Sequence, residues 1–257
     1  MRSMSVNYKN KKICLPIIAY GGMVHSGYMI SMVNLVNKLA ALGFSISCPS
    51  IWFESLISRA RNASAAASLS NKDDYLMFID TDVIFDADDV IKLVDADKDV
   101  AVGLYPKKYI SNQKIEFLSK KYSQIPTFWR ELVGDFSSEF DDKVLESNEN
   151  LIEVNYAATG FMLIKTSVFN SIAKKKPDLK YKNDIDGYIS YGDNFFDFFR
   201  CWVNPDTKKY ESEDYGFCKV WQECGGKIHA LTDIKLKHRG NIEFEGDFNK
   251  QREVFYK

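Results

Sequence analysis

Apolar runs and helical repeats alternate through the first hundred residues. Lys12 to Tyr20 (KICLPIIAY) predicts a first buried strand, ending at Gly21-Gly22, a turn where backbone can approach a ligand closely. From His25 to Leu42, residues Met29, Met32, Val33, Val36, Leu39 and Ala40 recur at helical spacing, and Gly43 is a natural stop. Phe44 to Cys48 predicts a short second strand. Glu54 to Leu69 predicts a helix whose small face (Leu56, Ala60, Ala63, Ala67) can lie close against a sheet. Tyr75 to Ile79 is an unbroken apolar and aromatic run, the pattern of a strand covered on both faces. Asp86 to Val94 predicts a short helix with acidic residues at its start, where the helix dipole favours them. Lys98 to Leu104 completes a β-α-β-α-β-α-β order, which predicts a largely parallel sheet with right-handed crossovers.

Periodicity then weakens. Tyr105 to Asn150, with charges clustered from Ser137 onward, reads as loops and irregular strands. Leu151 to Tyr156 and Gly160 to Lys165 predict two further strands, and Thr166 to Ala173 a short helix. Pro177 to Tyr210 is irregular and aromatic-rich. Glu213 to Glu223 resumes as a helix closed by Gly225-Gly226, followed by a strand at Lys227 to Leu231. Ile234 to His238 reads as an extended piece before a polar tail. The chain contains no internal repeat.

The chemistry concentrates where the most apolar strand ends, at Asp80-Thr81-Asp82. In an extended chain side chains repeat every second residue, so both carboxylates point to one side. Neighbouring carboxylates repel unless a cation or shared protons lie between them. The end of a buried strand in an α/β sheet is also where ligands usually bind. These residues therefore suggest a metal site for a phosphorylated ligand, against the plainer reading of a solvated acidic turn. A calcium loop of the helix-loop-helix type does not fit, because Phe85 stands where that loop needs glycine.

Composition narrows the class. A formal net charge of −1 argues against nucleic-acid binding by bulk electrostatics. Hydrophobic content of 46% and charged content of 27% are those of an ordinary globular domain. Cys14, Cys48, Cys201, Cys218 and Cys224 are odd in number and widely spaced, which suggests neither a disulfide framework nor a zinc site and favours a reducing compartment. The basic start MRSMSVNYKNKK precedes an apolar stretch too short and interrupted for a signal peptide, and no run has membrane-spanning length. A soluble, cytoplasmic protein is expected.

FIDTDVIF resembles the Asp-x-Asp strand end of nucleotide-sugar-dependent glycosyltransferases of the GT-A fold. Ser58-Arg-Ala-Arg-Asn62 is similar to that family's donor-binding segment, and Val102-Gly-Leu-Tyr-Pro-Lys-Lys108 follows one strand after the motif. Ala158-Thr-Gly-Phe-Met-Leu163 resembles its acceptor-side glycine segment, and Ser212-Glu-Asp-Tyr-Gly-Phe-Cys218 its acidic catalytic element. The likeness covers about residues 12 to 240. It implies one α/β domain, 1–257, with a GT-A-like (Rossmann-like), mostly parallel central sheet flanked by helices. Residues 12–104 would form the nucleotide-sugar half, 105–240 an irregular acceptor and catalytic half, and 241–257 a tail.

The resemblance further implies metal-dependent transfer of a sugar, from a UDP-sugar or less often a GDP-sugar, to a hydroxyl of a carbohydrate acceptor. Asp82 would hold Mn²⁺ or Mg²⁺ directly, with Asp80 as ribose and metal support and His238 as a late third ligand. Ala19, Tyr20 and Gly21 would receive base and ribose, together with Arg59, Arg61, Asn62 and Thr81. Asp214, beside Glu213, would be the general base, which implies inversion. Trp129 and Gly160 are the acceptor-side candidates, and Lys107 and Lys108 read as a solvated pair able to help neutralise phosphate. Three rivals share the scaffold. A sugar nucleotidyltransferase would want Arg or Lys in its first Gly-rich loop, and Gly21-Gly-Met-Val-His25 has none. An aspartyl-nucleophile phosphatase would want Thr or Val at position 84, where Ile stands. A non-catalytic nucleotide- or sugar-binding protein would not need Asp214.

Overall fold

The computed structural model describes residues 8–256. Most of the basic start, on which the signal-peptide expectation partly rests, lies outside the described residues.

Seven strands form the central sheet: β1 (Lys12–Cys14), β2 (Ser45–Ser47), β3 (Tyr75–Ile79), β4 (Val100–Gly103), β5 (Leu151–Val154), β6 (Phe161–Lys165) and β7 (Ile228–Leu231). Their spatial order is β2-β1-β3-β6-β4-β7-β5. β1 pairs in parallel with β2 and β3, and β7 with β4. β6 runs antiparallel between β3 and β4, and β5 antiparallel at the edge beside β7. The fold is α/β with a mixed sheet in which β1 to β4 and β7 share one direction. Inversion of β6 was hidden in the sequence because an apolar run such as Phe161 to Ile164 reports burial on both faces, not direction.

Alternation along the strands builds two cores. Leu76 and Phe78 of β3 point to one face with Val100, Val102, Met162 and Ile164; Tyr75, Met77 and Ile79 point to the other with Ala101 and Leu163. On the second face lie α1 (Ser26–Ala41) and α3 (Ala87–Asp95), through Leu35, Leu39, Val90 and Leu93. Helix α2 (Ile57–Asn71) packs Ala60, Ala63 and Ala66 against Ile51, Tyr188 and Phe195 rather than laying the expected small face on the central sheet, and Leu56, at that face's start, is exposed. Asp86 caps α3 in a capping box with Asp89.

Proline explains the interruption of the first strand. Neither Pro16 nor Pro49 can donate to a ladder. β1 and β2 stop before them, and pairing resumes beyond as a separate parallel pair, Ile17–Ala19 with Ser50–Trp52. The weakly periodic region contains α4 (Asn112–Lys121), which buries only Leu118 fully and so left little apolar rhythm to read. Helices α5 (Thr166–Lys175) and α6 (Glu213–Glu223) cover the first face with Phe169, Phe217 and Trp221. The polar stretch after Arg239 holds strand Glu243–Glu245 and helix α7 (Phe248–Phe255), whose Phe248 packs edge-on against Phe136 and Phe140. No helix among the described residues is long and apolar enough to cross a membrane.

One small sheet positions the site. Val83–Ile84, immediately after Asp82, pairs with Lys237–Arg239, which pairs in turn with Glu243–Glu245. The register sets His238 opposite Val83.

Candidate functional site

Asp80 leaves β3 with its N–H donated to the Gly160 carbonyl at 2.9 Å, and its own carbonyl accepts from Val83 N–H at 2.9 Å. This turn, rather than a continued strand, carries both carboxylates, each about a third exposed. Thr81 contributes its carbonyl, which accepts from His25 N–H at 3.1 Å at the start of α1.

Each carboxylate meets a different set of partners. Arg61 donates from Nη2 to Asp80 Oδ1 at 3.1 Å, and its Nε lies 3.6 Å from Glu213 Oε1. The guanidinium is 5% exposed, lies over the Phe78 ring at 5.1 Å, and its Nε finds no hydrogen-bond partner among the described residues. Asp82 Oδ2 accepts from Lys108 Nζ at 2.5 Å, and Oδ1 lies 3.4 Å from His238 Nε2. Burial alone would raise the Asp82 carboxyl, but hydrogen bonds with His238 and Lys108 hold it down at about 2.

His238 is oriented from behind. Its Nδ1 lies 2.9 Å from the Pro106 carbonyl, which can only accept, so Nδ1 donates there and Nε2 faces Asp82. Tyr105 meets the imidazole edge-on, with ring centroids 5.1 Å apart. That tyrosine, which the sequence did not single out, is buried beneath Gly160; burial and the Asp80 charge push its hydroxyl well above its ordinary value. A Cβ on Gly160 would stand 2.5 Å from Tyr105 Oη and 2.7 Å from Asp80 Oδ2, so the position demands glycine. Tyr105 could be missed because an aromatic at a strand end reads as core.

Glu213 and Asp214 begin α6 after Ser212. Asp214 accepts from the Ser212 hydroxyl and from Tyr215 N–H. Burial, then the Asp214 charge, pushes the Glu213 carboxyl up against the pull of Arg61. Arg61 thereby links the acidic pair of α6 to Asp80.

Other sequence candidates stand elsewhere. Arg59 forms a two-point ion pair with Glu54, at 2.7 and 2.9 Å, instead of joining the carboxylates. Asn62 is buried, donating to Asp197 at 2.9 Å and accepting from Phe199 N–H at 2.9 Å, so it ties α2 to the 197–199 segment. Ala19 is buried and Tyr20 is 65% exposed beside Trp52 and Phe53. Trp129 packs with Leu118, Leu132 and Val133 and lines an apolar cleft of about 510 Å³. A hollow of about 600 Å³ lies at the opposite end of β3, and four of its charges pair there, Lys11 with Asp74 and Lys165 with Asp97, both at 2.8 Å.

No group of three or more His, Cys, Asp and Glu side chains among the described residues forms a ready metal cage. Asp82 Oδ1 and His238 Nε2 instead offer an oxygen and a nitrogen side by side. With phosphate oxygens and water completing the shell, such a pair could hold Mn²⁺ more readily than Mg²⁺, which favours oxygen ligands throughout. The Nδ1 bond to Pro106 fixes the imidazole with Nε2 turned to Asp82, as an outer contact would for an imidazole that bound a metal.

No family model matches the chain, and no curated protein matches it. Among solved structures, it is similar to GalNAc-T7 with UDP, GalNAc and Mn²⁺ (12% identity, TM-score 0.49), over 89% of this chain and 44% of that one. A 4-diphosphocytidyl-2C-methyl-D-erythritol synthase from Anaerococcus prevotii is similar at 9% identity and TM-score 0.37, over 69% and 81%. TarS of S. aureus is similar at 12% identity and TM-score 0.36, over 86% and 58%. The chain thus spans less than half the length of the first structure. All three of these TM-scores lie below 0.5.

Proposed function

We propose that the chain is a metal-dependent glycosyltransferase, moving a sugar from a nucleoside-diphosphate donor to a hydroxyl of a carbohydrate acceptor. One observation carries this reading. At the end of β3 two carboxylates meet a histidine aimed at the second and, through Arg61, a further acidic pair bound to the first. A diphosphate entering so acidic a site needs a divalent cation to bridge it to the carboxylates. Asp82 and His238 would hold that Mn²⁺ or Mg²⁺, which when bound stabilises charge on the departing diphosphate.

The chain's own groups take the remaining roles. Asp80, held by Arg61, is set to accept from a ribose hydroxyl or a metal-bound water. Exposed Tyr20, flanked by Ala19 and Gly21, is a stacking face for the base. Asp214 takes the proton from the acceptor hydroxyl as that oxygen attacks the anomeric carbon and the bond to the leaving phosphate oxygen breaks. The Ser212 hydroxyl and Tyr215 N–H hold one oxygen of Asp214 in place for this. Direct displacement inverts the anomeric centre. A uridine donor is favoured by the frequency of UDP-sugars in the resembled family, and Trp129 is proposed as a sugar platform on the acceptor side.

The test is turnover of a UDP-sugar and GDP-sugar panel with Mn²⁺, read as released nucleoside diphosphate. Asp214→Asn should lose at least about a hundredfold in rate and keep donor affinity. Unchanged turnover would remove Asp214 as base, and binding without turnover by the wild type would make the chain a non-catalytic binder.

A further inference from the structure

Both carboxylates that follow β3 already carry a cation supplied by the chain, and the two cations are built differently. Asp80 faces Arg61, whose buried guanidinium also reaches Glu213 and lies on Phe78. Withdrawing it would leave charge buried and unpaired, so that contact is permanent. Asp82 faces Lys108, whose side chain is 41% exposed. Its stem lies along Gly240, where a Cβ would stand 3.4 Å from Lys108 Cδ. The neighbouring backbone is fixed: Lys107 N–H donates to the Asp135 carbonyl at 2.7 Å, and the Pro106 carbonyl accepts from His238. Only the flexible side chain of Lys108 is free to move. An ammonium is a compact, replaceable point charge, and an exposed ion pair is worth little.

We infer that Lys108 is a place-holder for the divalent cation. Without metal, its ammonium neutralises Asp82 from Oδ2; when metal enters with the donor on the Oδ1 and His238 side of the same carboxylate, the two cations repel and Lys108 turns to the diphosphate. The inference rests on reading the site as metal- and diphosphate-binding. Ammonium and metal ion repel and compete for one carboxylate, so metal alone binds poorly. With a diphosphate present, the displaced ammonium gains phosphate oxygens as partners. Metal and diphosphate therefore favour one another, and the metal arrives with the donor.

Titration of Mn²⁺ alone into the wild type, Lys108→Met and Lys108→Arg, followed by the free-ion electron spin resonance signal, tests this. Calorimetry of UDP at saturating Mn²⁺ runs beside it, and thermal melts confirm that the variants fold. Lys108→Met should bind Mn²⁺ alone about fivefold tighter and UDP with Mn²⁺ about fivefold weaker, while Lys108→Arg binds Mn²⁺ as the wild type does. Mn²⁺ affinity in Lys108→Met equal to or below that of the wild type overturns the place-holder. If UDP with Mn²⁺ still binds the wild type in that case, the proposed function stands without it. If neither Mn²⁺ nor Mn²⁺ with any nucleoside diphosphate binds, both fall.

Discussion

His238 turns Nε2 to within 3.4 Å of Asp82 Oδ1 while its Nδ1 bonds the Pro106 carbonyl at 2.9 Å. The contact is set by backbone: His238 pairs with Val83, and Arg239 N–H donates to the Asp82 carbonyl at 2.8 Å. Nε2 and the carboxylate oxygen, side by side, are placed to share a cation between them. His238→Ala should therefore weaken Mn²⁺ binding in the presence of nucleoside diphosphate by at least about tenfold. Calorimetry checks this, and an unchanged affinity would take His238 out of the ligand set.

Gly160 offers a test of the frame beneath the carboxylates. Gly160→Ala puts a methyl group against Tyr105 Oη and Asp80 Oδ2, at 2.5 and 2.7 Å before relaxation. Tyr105 is packed and Asp80 is tied to Arg61, so the strain should lower stability by about 1–3 kcal/mol. A denaturant melt reads the change, and a variant as stable as the wild type would show that the Tyr105 contact yields freely.

The Glu54–Arg59 pair predicts an acid-sensitive increment of stability. Burial raises the Glu54 carboxyl, but hydrogen bonds from Arg59 and Leu56 N–H bring it below its ordinary value. A folded pKa below the unfolded one means stabilisation that is full above about 4.3 and lost as pH falls through the lower folded value. The melting temperature of Glu54→Gln should thus lie below that of the wild type at neutral pH, with the gap closing as pH falls below about 4.3. A gap that stays constant over that range would assign the cost to packing.

Legibility followed the range of the interactions. Period-two and helical patterns are local, so β3, α3 and α6 were readable, Glu213–Glu223 to the residue. The direction of β6 depends on its neighbours and was not. Within α2, the three polar residues Arg59, Arg61 and Asn62 look alike in sequence. The fold separates them: Arg61 turns to Asp80, Arg59 to Glu54, and Asn62 inward to Phe199. Tyr105 and Lys108 enter the site only because the Pro106 segment folds against His238, a contact between distant parts of the chain.

On the proposed function, the carboxylates after β3 bind a nucleoside diphosphate through a divalent cation. Thermal shift of wild type and Asp82→Ala with UDP and GDP, each with and without Mn²⁺, tests it most directly, because a ligand bound only by the folded chain raises its melting temperature. The wild type should shift only with both Mn²⁺ and one of the two nucleotides, and Asp82→Ala should show no such shift. An Mn²⁺-dependent shift that survives in Asp82→Ala, or no shift in the wild type with any nucleoside diphosphate, would contradict it.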